Sequence, residues 1–294
     1  MTTPVPGGPS GPSGPTVRRL VVGSQLRRLR EAAGITRDAA GYAIRGSESK
    51  ISRLELGRVS FKQRDIIDLL TLYGIAEDDE RVEALVTLAE EANQPGWWHR
   101  YDDVIGKWFQ TYIGLEEAAN YIRTYEMQFV PGLLQTEDYA RSVVSVGSPQ
   151  DSDDEVETKV RVRMERQRIL ERKDPPMLWA VIDEAALRRP MGGRQVMRSQ
   201  IEHLLDLMKR PNISVQVVPF RQGGHAAESG AFTILRFEEE DLPDVVYLEQ
   251  LVSALYLDKR EQVDRYAQTM VRLTGEAPPP EDTADLLMKI LEQA

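Results

Sequence analysis

The first periodic segment runs from Val21 to Ala33, where Val22, Leu26, Leu29 and Ala33 recur at three- and four-residue steps and line one helix face. Gly34 predicts its end, because glycine takes the left-handed conformation of a helix C-terminus at little steric cost. Thr36 can cap a second helix reaching about Ala43, and Ser47, after a turn at Ile44 to Gly46, can cap a third. In that third helix Ile51 and Leu54 face inward, whereas Glu48, Ser49, Lys50 and Arg53 take the outer side. Two more helices follow, about Lys62 to Tyr73 and Asp79 to Ala92, with Ile66, Ile67, Leu69 and Leu70, then Val82, Leu85 and Val86, inside. Five helices complete a small domain over residues 17–93.

The second half alternates between periods. A helix is expected from about Leu115 to Tyr125, a break at Pro131 and Gly132, and a short helix from Thr136 to Val146. The acidic stretch "SPQDSDDEVETKV" caps a long basic helix. In it Arg161, Arg163, Arg166, Arg168 and Arg172 interleave with Glu157, Glu165 and Glu171, the pattern of a salt-bridged surface or interface helix. Four strands are expected at "MLWAVID", "ISVQVVPF", "AFTILRF" and "DVVYLEQL", with a helix from Gly193 to Lys209 between the first two. After a helix over Lys259 to Leu273 and a "GEAPPP" linker, a terminal helix (Glu281 to Leu291) carries the stripe Ala284, Leu287 and Leu291, which can dock on the body or on a partner. The fold class is therefore mainly α: a helical head, an α+β domain with a small mixed sheet over 94–275, then linker and helix over 276–294.

Composition narrows the function classes. The 294 residues suit two domains, and no apolar run approaches the roughly 18 residues of a membrane span. With no cysteine, disulfides, thiolate metal sites and cysteine nucleophiles are excluded, and a cytoplasmic location is expected. The opening "MTTPVPGGPSGPSGPT" (residues 1–16) has five prolines and four glycines and reads as a disordered tail.

Charge changes the picture more. Between Thr16 and Arg64 twelve Arg or Lys stand against four Asp or Glu, a local +8; with −10 overall, the remainder carries −18. A basic patch on an acidic molecule is the footprint of nucleic-acid binding by one end only. A helix fits the major groove, where Lys and Arg donate to guanine and Glu accepts from cytosine. Glu48, Ser49, Lys50 and Arg53 are therefore expected to face bases, with Ser47 and Arg58 near phosphates.

"LRRLREAAGITRDAAGYAIRGSESKISRLELGR" resembles the Xre-type, phage-repressor-like helix-turn-helix across residues 20–74. The resemblance implies a lambda-repressor-like five-helix fold and double-stranded operator DNA as the partner. It also implies an internal ion pair between Arg30 and Glu55, and it sets Arg37 against a phosphate at the start of the second helix. Members of that family place glycine at the position of Arg45 and an apolar residue at that of Gly46; here the displaced glycine is expected to supply the left-handed residue of the turn. Helix-turn-helix proteins commonly bind as homodimers to paired half-sites. The second half, through "YIGLEEAA", "FVPGLLQTEDYAR", "RMERQRIL", "VIDEAALRRPMGG" and "ISVQVVPF", resembles the uncharacterised C-terminal domain of actinobacterial Xre-type regulators. That resemblance implies control by a partner protein or a small-molecule effector. Its antitoxin-like alternative is a protein that sequesters a small, adjacently encoded partner, with DNA binding as autoregulation.

An enzyme is not expected. His99, His203 and His225 lie in three separate segments, and neither HExxH nor GxSxG occurs. Asp183 and Glu184 read as a helix cap, and "RQGGHAAESGAF" as a hairpin-like loop, although His225 and Glu228 could stand over a pocket. Trp97, Trp98, Tyr101 and Trp108 read first as a hydrophobic seam or core wall and second, with His225, as a ligand or partner pocket. No metal or cofactor is expected.

Overall fold

The computed structural model describes residues 15–239 and 242–293, and the chain divides into two compact units between Trp97 and Trp98. The first holds five helices: α1 (Pro15–Ala32), α2 (Arg37–Ala43), α3 (Glu48–Glu55), α4 (Gln63–Leu72) and α5 (Glu80–Ala92). Their caps are those the sequence suggests. The Thr36 hydroxyl accepts from the Ala39 amide, the Ser47 hydroxyl from the Lys50 amide at 3.3 Å, and Asp79 caps α5 through the Arg81 amide. Gly34 closes α1 at φ +68°. Val22, Leu26, Ala40, Ile51, Leu54, Ile66, Leu69 and Leu85 form one shared core.

Helix α1 opens at Pro15, ahead of the expected Val21, with Thr16 and Val17 buried. Two residues assigned by composition to the tail are thus helical, proline being well tolerated in a first turn; the rest of the tail, 1–14, lies outside the described residues. The turn before α3 also differs. Arg45, not Gly46, takes the left-handed conformation, at φ +51°.

The second unit is built on a six-stranded mixed sheet. Its elements run α6 (Lys107–Ala118), β1 (Tyr121–Glu126), α7 (Glu137–Gly147), α8 (Asp153–Gln167), β2 (Met177–Asp183), α9 (Glu184–Arg188) and α10 (Arg194–Leu207). There follow β3 (Ile213–Val218), β4 (Phe232–Arg236), β5 (Val245–Glu249), β6 (Ala254–Leu257), α11 (Arg260–Glu276) and α12 (Pro280–Gln293). The strand order is β3-β2-β1-β4-β5-β6, with β1, β2 and β3 parallel and each later strand antiparallel to its neighbour. One face buries Tyr125, Val181, Phe232, Ile234 and Val246 against Val263, Met270 and Leu273 of α11. On the other, Tyr112 of α6 stacks on Tyr247 of β5 at 4.0 Å between centroids.

Four expectations are corrected here. The segment expected to end a helix, Tyr121 to Tyr125, is the central strand β1, and the helix before it spans Lys107–Ala118. Aromatic and β-branched residues suit a strand, and burial on both faces removes the polar alternation that would have announced it. The four-residue β6 was not expected at all. The basic helix α8 is not a surface element throughout: Arg166 is buried in a two-bond pair with Glu116, 2.8 Å for each bond, with its guanidinium 4.9 Å from the Phe109 ring centroid. Finally, the segment expected as a linker from residue 276 is only Ala277 to Pro279, and α12 packs on β3 and α10.

Candidate nucleic-acid interface

Two glycines allow α3 to seat where it does. A Cβ on Gly41 would stand 2.9 Å from the Ser47 carbonyl carbon, and one on Gly23 2.6 Å from the carbonyl oxygens of Leu54 and Glu55. Side chains at either place would push α2 or α1 away from α3. Ile51 and Leu54 then anchor the inner face, 1% and 2% exposed.

The expected Arg30–Glu55 pair is present and larger than a pair. Buried Glu55 accepts from Arg30 Nε at 2.5 Å and Nη2 at 3.3 Å, and from Arg37 Nε at 2.9 Å, while Arg30 Nη1 donates to the Ile35 carbonyl. This joins α1, α2 and the C-terminal end of α3. The hydrogen bond that Arg30 donates to Glu55 raises the Arg30 pKa, and burial followed by the Glu55 charge raises that of Tyr73. Arg37, expected near phosphate, is thus half-buried and tied to Glu55.

The outward groups separate into two sets. Lys50, expected among the base-facing residues, directs its ammonium to Asp65 Oδ2 of α4 at 2.6 Å. Glu48, Ser49 and Arg53 are exposed, and Arg53 Nε donates back to the Ser49 carbonyl at 3.3 Å. Ser47 is exposed at the cap, and Arg58 is exposed beyond the helix end. Two further residues join this rim that sequence reasoning left out: Tyr42, 88% exposed at the end of α2, and Arg45 in the turn. The signal for both lay in the local pattern, an aromatic on the polar side of a short helix and an arginine where a glycine is the easier choice. Among the described residues Arg45, Arg53 and Arg58 form no ion pair, so three cations border α3 uncompensated.

Within the second unit the members of the other suspected site are not brought together with His225. Trp97 ends the first unit. Trp98 and Tyr101 are buried in the second, Tyr101 donating to Glu165 at 3.1 Å, and the Trp108 carbonyl accepts from Tyr256 at 2.5 Å on the α6 face of the sheet. His225 lies on the opposite face. Its Nε2 is 3.0 Å from the Tyr125 hydroxyl and 3.7 Å from Asp183, while Nδ1 accepts from the Ala227 amide. Its loop is not a hairpin, because β2 and β1 separate β3 from β4; it crosses the carboxyl ends of the parallel strands. Asp183 does cap α9, through the Ala185 amide.

Comparison with known proteins agrees with this division. Residues 21–85 match a family described as a helix-turn-helix domain, and residues 109–289 match one described as a domain of unknown function, DUF5753. No curated protein and no solved structure matches the chain. No described helix is long and apolar enough to cross a membrane. A helix-turn-helix head followed by a sheet domain that covers more than half its length places the chain in the DUF5753 family, as a member carrying a DNA-binding domain.

Proposed function

We propose that this protein is a sequence-specific transcriptional regulator of the Xre type, binding an operator in double-stranded DNA as a homodimer and acting in the cytoplasm at the nucleoid. The observation that carries the reading is the capped, inwardly anchored α3 with Arg45, Arg53 and Arg58 unpaired around it. Glu48, Ser49 and Arg53 face the bases, Arg45, Ser47 and Arg58 the backbone. Lys50 reaches DNA only by leaving Asp65, so it contributes less than Arg53. The acidic half takes the signal, a small molecule or a protein, and no catalysis is part of the role. Gel-shift titration against the DNA upstream of its own gene tests this. Arg53→Ala should weaken specific binding about fivefold or more, since one good base contact is worth about 1 to 3 kcal/mol. If Arg53→Ala and Arg58→Ala both bind like the wild type, the assignment of α3 is wrong.

A second reading has one observation in its favour. Leu251 and Val252, 95% and 82% exposed between β5 and β6, are apolar groups open to a protein. They favour sequestration of a small, adjacently encoded partner, with DNA binding as autoregulation. Recovery of such a partner with the full chain from native cells, lost on Leu251→Ser with Val252→Ser, would distinguish the two.

A further inference from the structure

Beyond the DNA-facing head, the carboxyl ends of β2 and β3 open onto a cavity of about 410 Å3. Crevices outside the carboxyl ends of parallel strands are the usual ligand position in α/β sheets, and volumes of about 300 to 1,000 Å3 suit small molecules. Glu184, at the start of α9, forms part of the floor, with Val217 and Pro219 of β3 and its exit beside it. Phe220 stands at the rim, and Pro278 with Thr283, Leu286 and Lys289 along α12 closes the other side.

Three features mark this as a built site. Thr283, 1% exposed, lines the cavity, and among the described residues its hydroxyl has no hydrogen-bond partner. Leaving a buried hydroxyl unpaired costs about 1 to 3 kcal/mol, a cost that a ligand atom would remove. Phe220 presents an aromatic ring that is 57% exposed, although Glu184 Oε2 fixes its backbone by accepting from the amide at 2.7 Å. The free charges on the wall are of both signs. Glu184 is already engaged by Arg188 at 2.6 Å, whereas Asp282, Asp285, Arg221 and Lys289 form no ion pair among the described residues. A simple anion would meet the two aspartates, and a simple cation the arginine and the lysine.

We infer that this cavity binds a small zwitterion with an aromatic group, either a free amino acid or a short peptide. The ammonium faces Asp282 and Asp285, the carboxylate Lys289 and Arg221, the ring lies on Phe220, and the Thr283 hydroxyl gains its missing bond. The site gives a place to the small-molecule signal of the proposed regulator, and only that regulatory meaning rests on the DNA reading.

Calorimetric titration of the full chain without DNA tests binding, so a negative result is separate from a failure of the DNA assignment. L-tryptophan and the dipeptide tryptophyl-glycine are the zwitterions; tryptamine and indole-3-propionate carry one charge each. At least one zwitterion should bind with a Kd below about 1 mM, and the better of the two identifies the source. Each single-charge analogue should bind at least tenfold more weakly. Thr283→Val keeps the side-chain shape and removes an unpaired polar atom, so its melting temperature should equal or exceed that of the wild type while affinity falls at least fivefold. Lys289→Met, at an exposed position, should weaken binding similarly. Absence of binding by both zwitterions, equal binding of the single-charge analogues, or unchanged affinity in both variants would each overturn the inference.

Discussion

Arg45 is where a single residue shows a conflict between local stability and function. A side chain at φ +51° crowds its own carbonyl and costs about 1 to 2 kcal/mol relative to ordinary backbone, a cost glycine avoids. Arg45→Gly should relieve the strain, partly offset by the greater freedom of the unfolded chain, so the melting temperature should stay level or rise. Operator affinity should nevertheless fall several-fold in a gel shift, because an unpaired cation leaves the edge of α3. Unchanged affinity would mean that Arg45 makes no contact with DNA. In the second unit Glu126 offers a test by pH. Burial first, then the like charge of Glu249, push its carboxyl up to about 8 from the ordinary 4.5, with the Arg163 charge opposing. The folded chain therefore holds this proton more tightly than the unfolded one. Its contribution to stability is complete below about pH 4.5 and is lost as pH rises through about 8. Glu126→Gln keeps the neutral form at every pH; it should match the wild type in urea denaturation near pH 5 and exceed it near pH 9.

At the scale of elements, what was legible in the sequence was local. The capping hydroxyls of Thr36 and Ser47, the glycine closing α1 and the inward Ile51 and Leu54 act within one or two turns, and the helix-turn-helix follows from them. The Arg30–Glu55 pair, 25 residues apart, came from resemblance and not from spacing. Long-range choices were hidden. Nothing near Lys50 announces Asp65 on the next helix, and β1 reads as helix until β2 and β4 flank it. Arg166 is the clearest case, since its periodic Glu neighbours suggested solvent whereas its partner Glu116 lies on α6, 50 residues earlier. Removing one partner of such a buried pair leaves an uncompensated charge and costs about 3 to 5 kcal/mol. Glu116→Gln should therefore lower the urea midpoint of the second unit strongly. The double variant Glu116→Leu with Arg166→Met, with no charge left to bury, should recover much of the loss; if it is as unstable as the single variant, the pair is not what holds α6 to α8.

For the whole molecule the division of charge matters most, a stretch of +8 from Thr16 to Arg64 on a chain of −10. Phosphates attract the stretch from Thr16 to Arg64 and repel most of the remaining chain, so the electrostatic part of binding comes from few cations and must be visible in its salt dependence. Each phosphate contact releases condensed counterions and contributes about −0.9 to the slope of log affinity against log salt. Among the described residues Arg45, Arg53 and Arg58, all bordering α3, form no ion pair. With Arg53 turned to a base, the other two set a minimum slope of about −2 for one bound head and about −4 for a dimer on two half-sites. Arg58→Ala should then make the dimer slope shallower by about 2 while leaving sequence preference intact, because a phosphate contact positions without reading. Arg53→Ala should do the reverse, relaxing the preference for operator over competitor DNA with little change in slope. If the two variants alter slope and preference in the same way, α3 does not lie in the groove in this orientation, whatever the affinity of the protein for DNA.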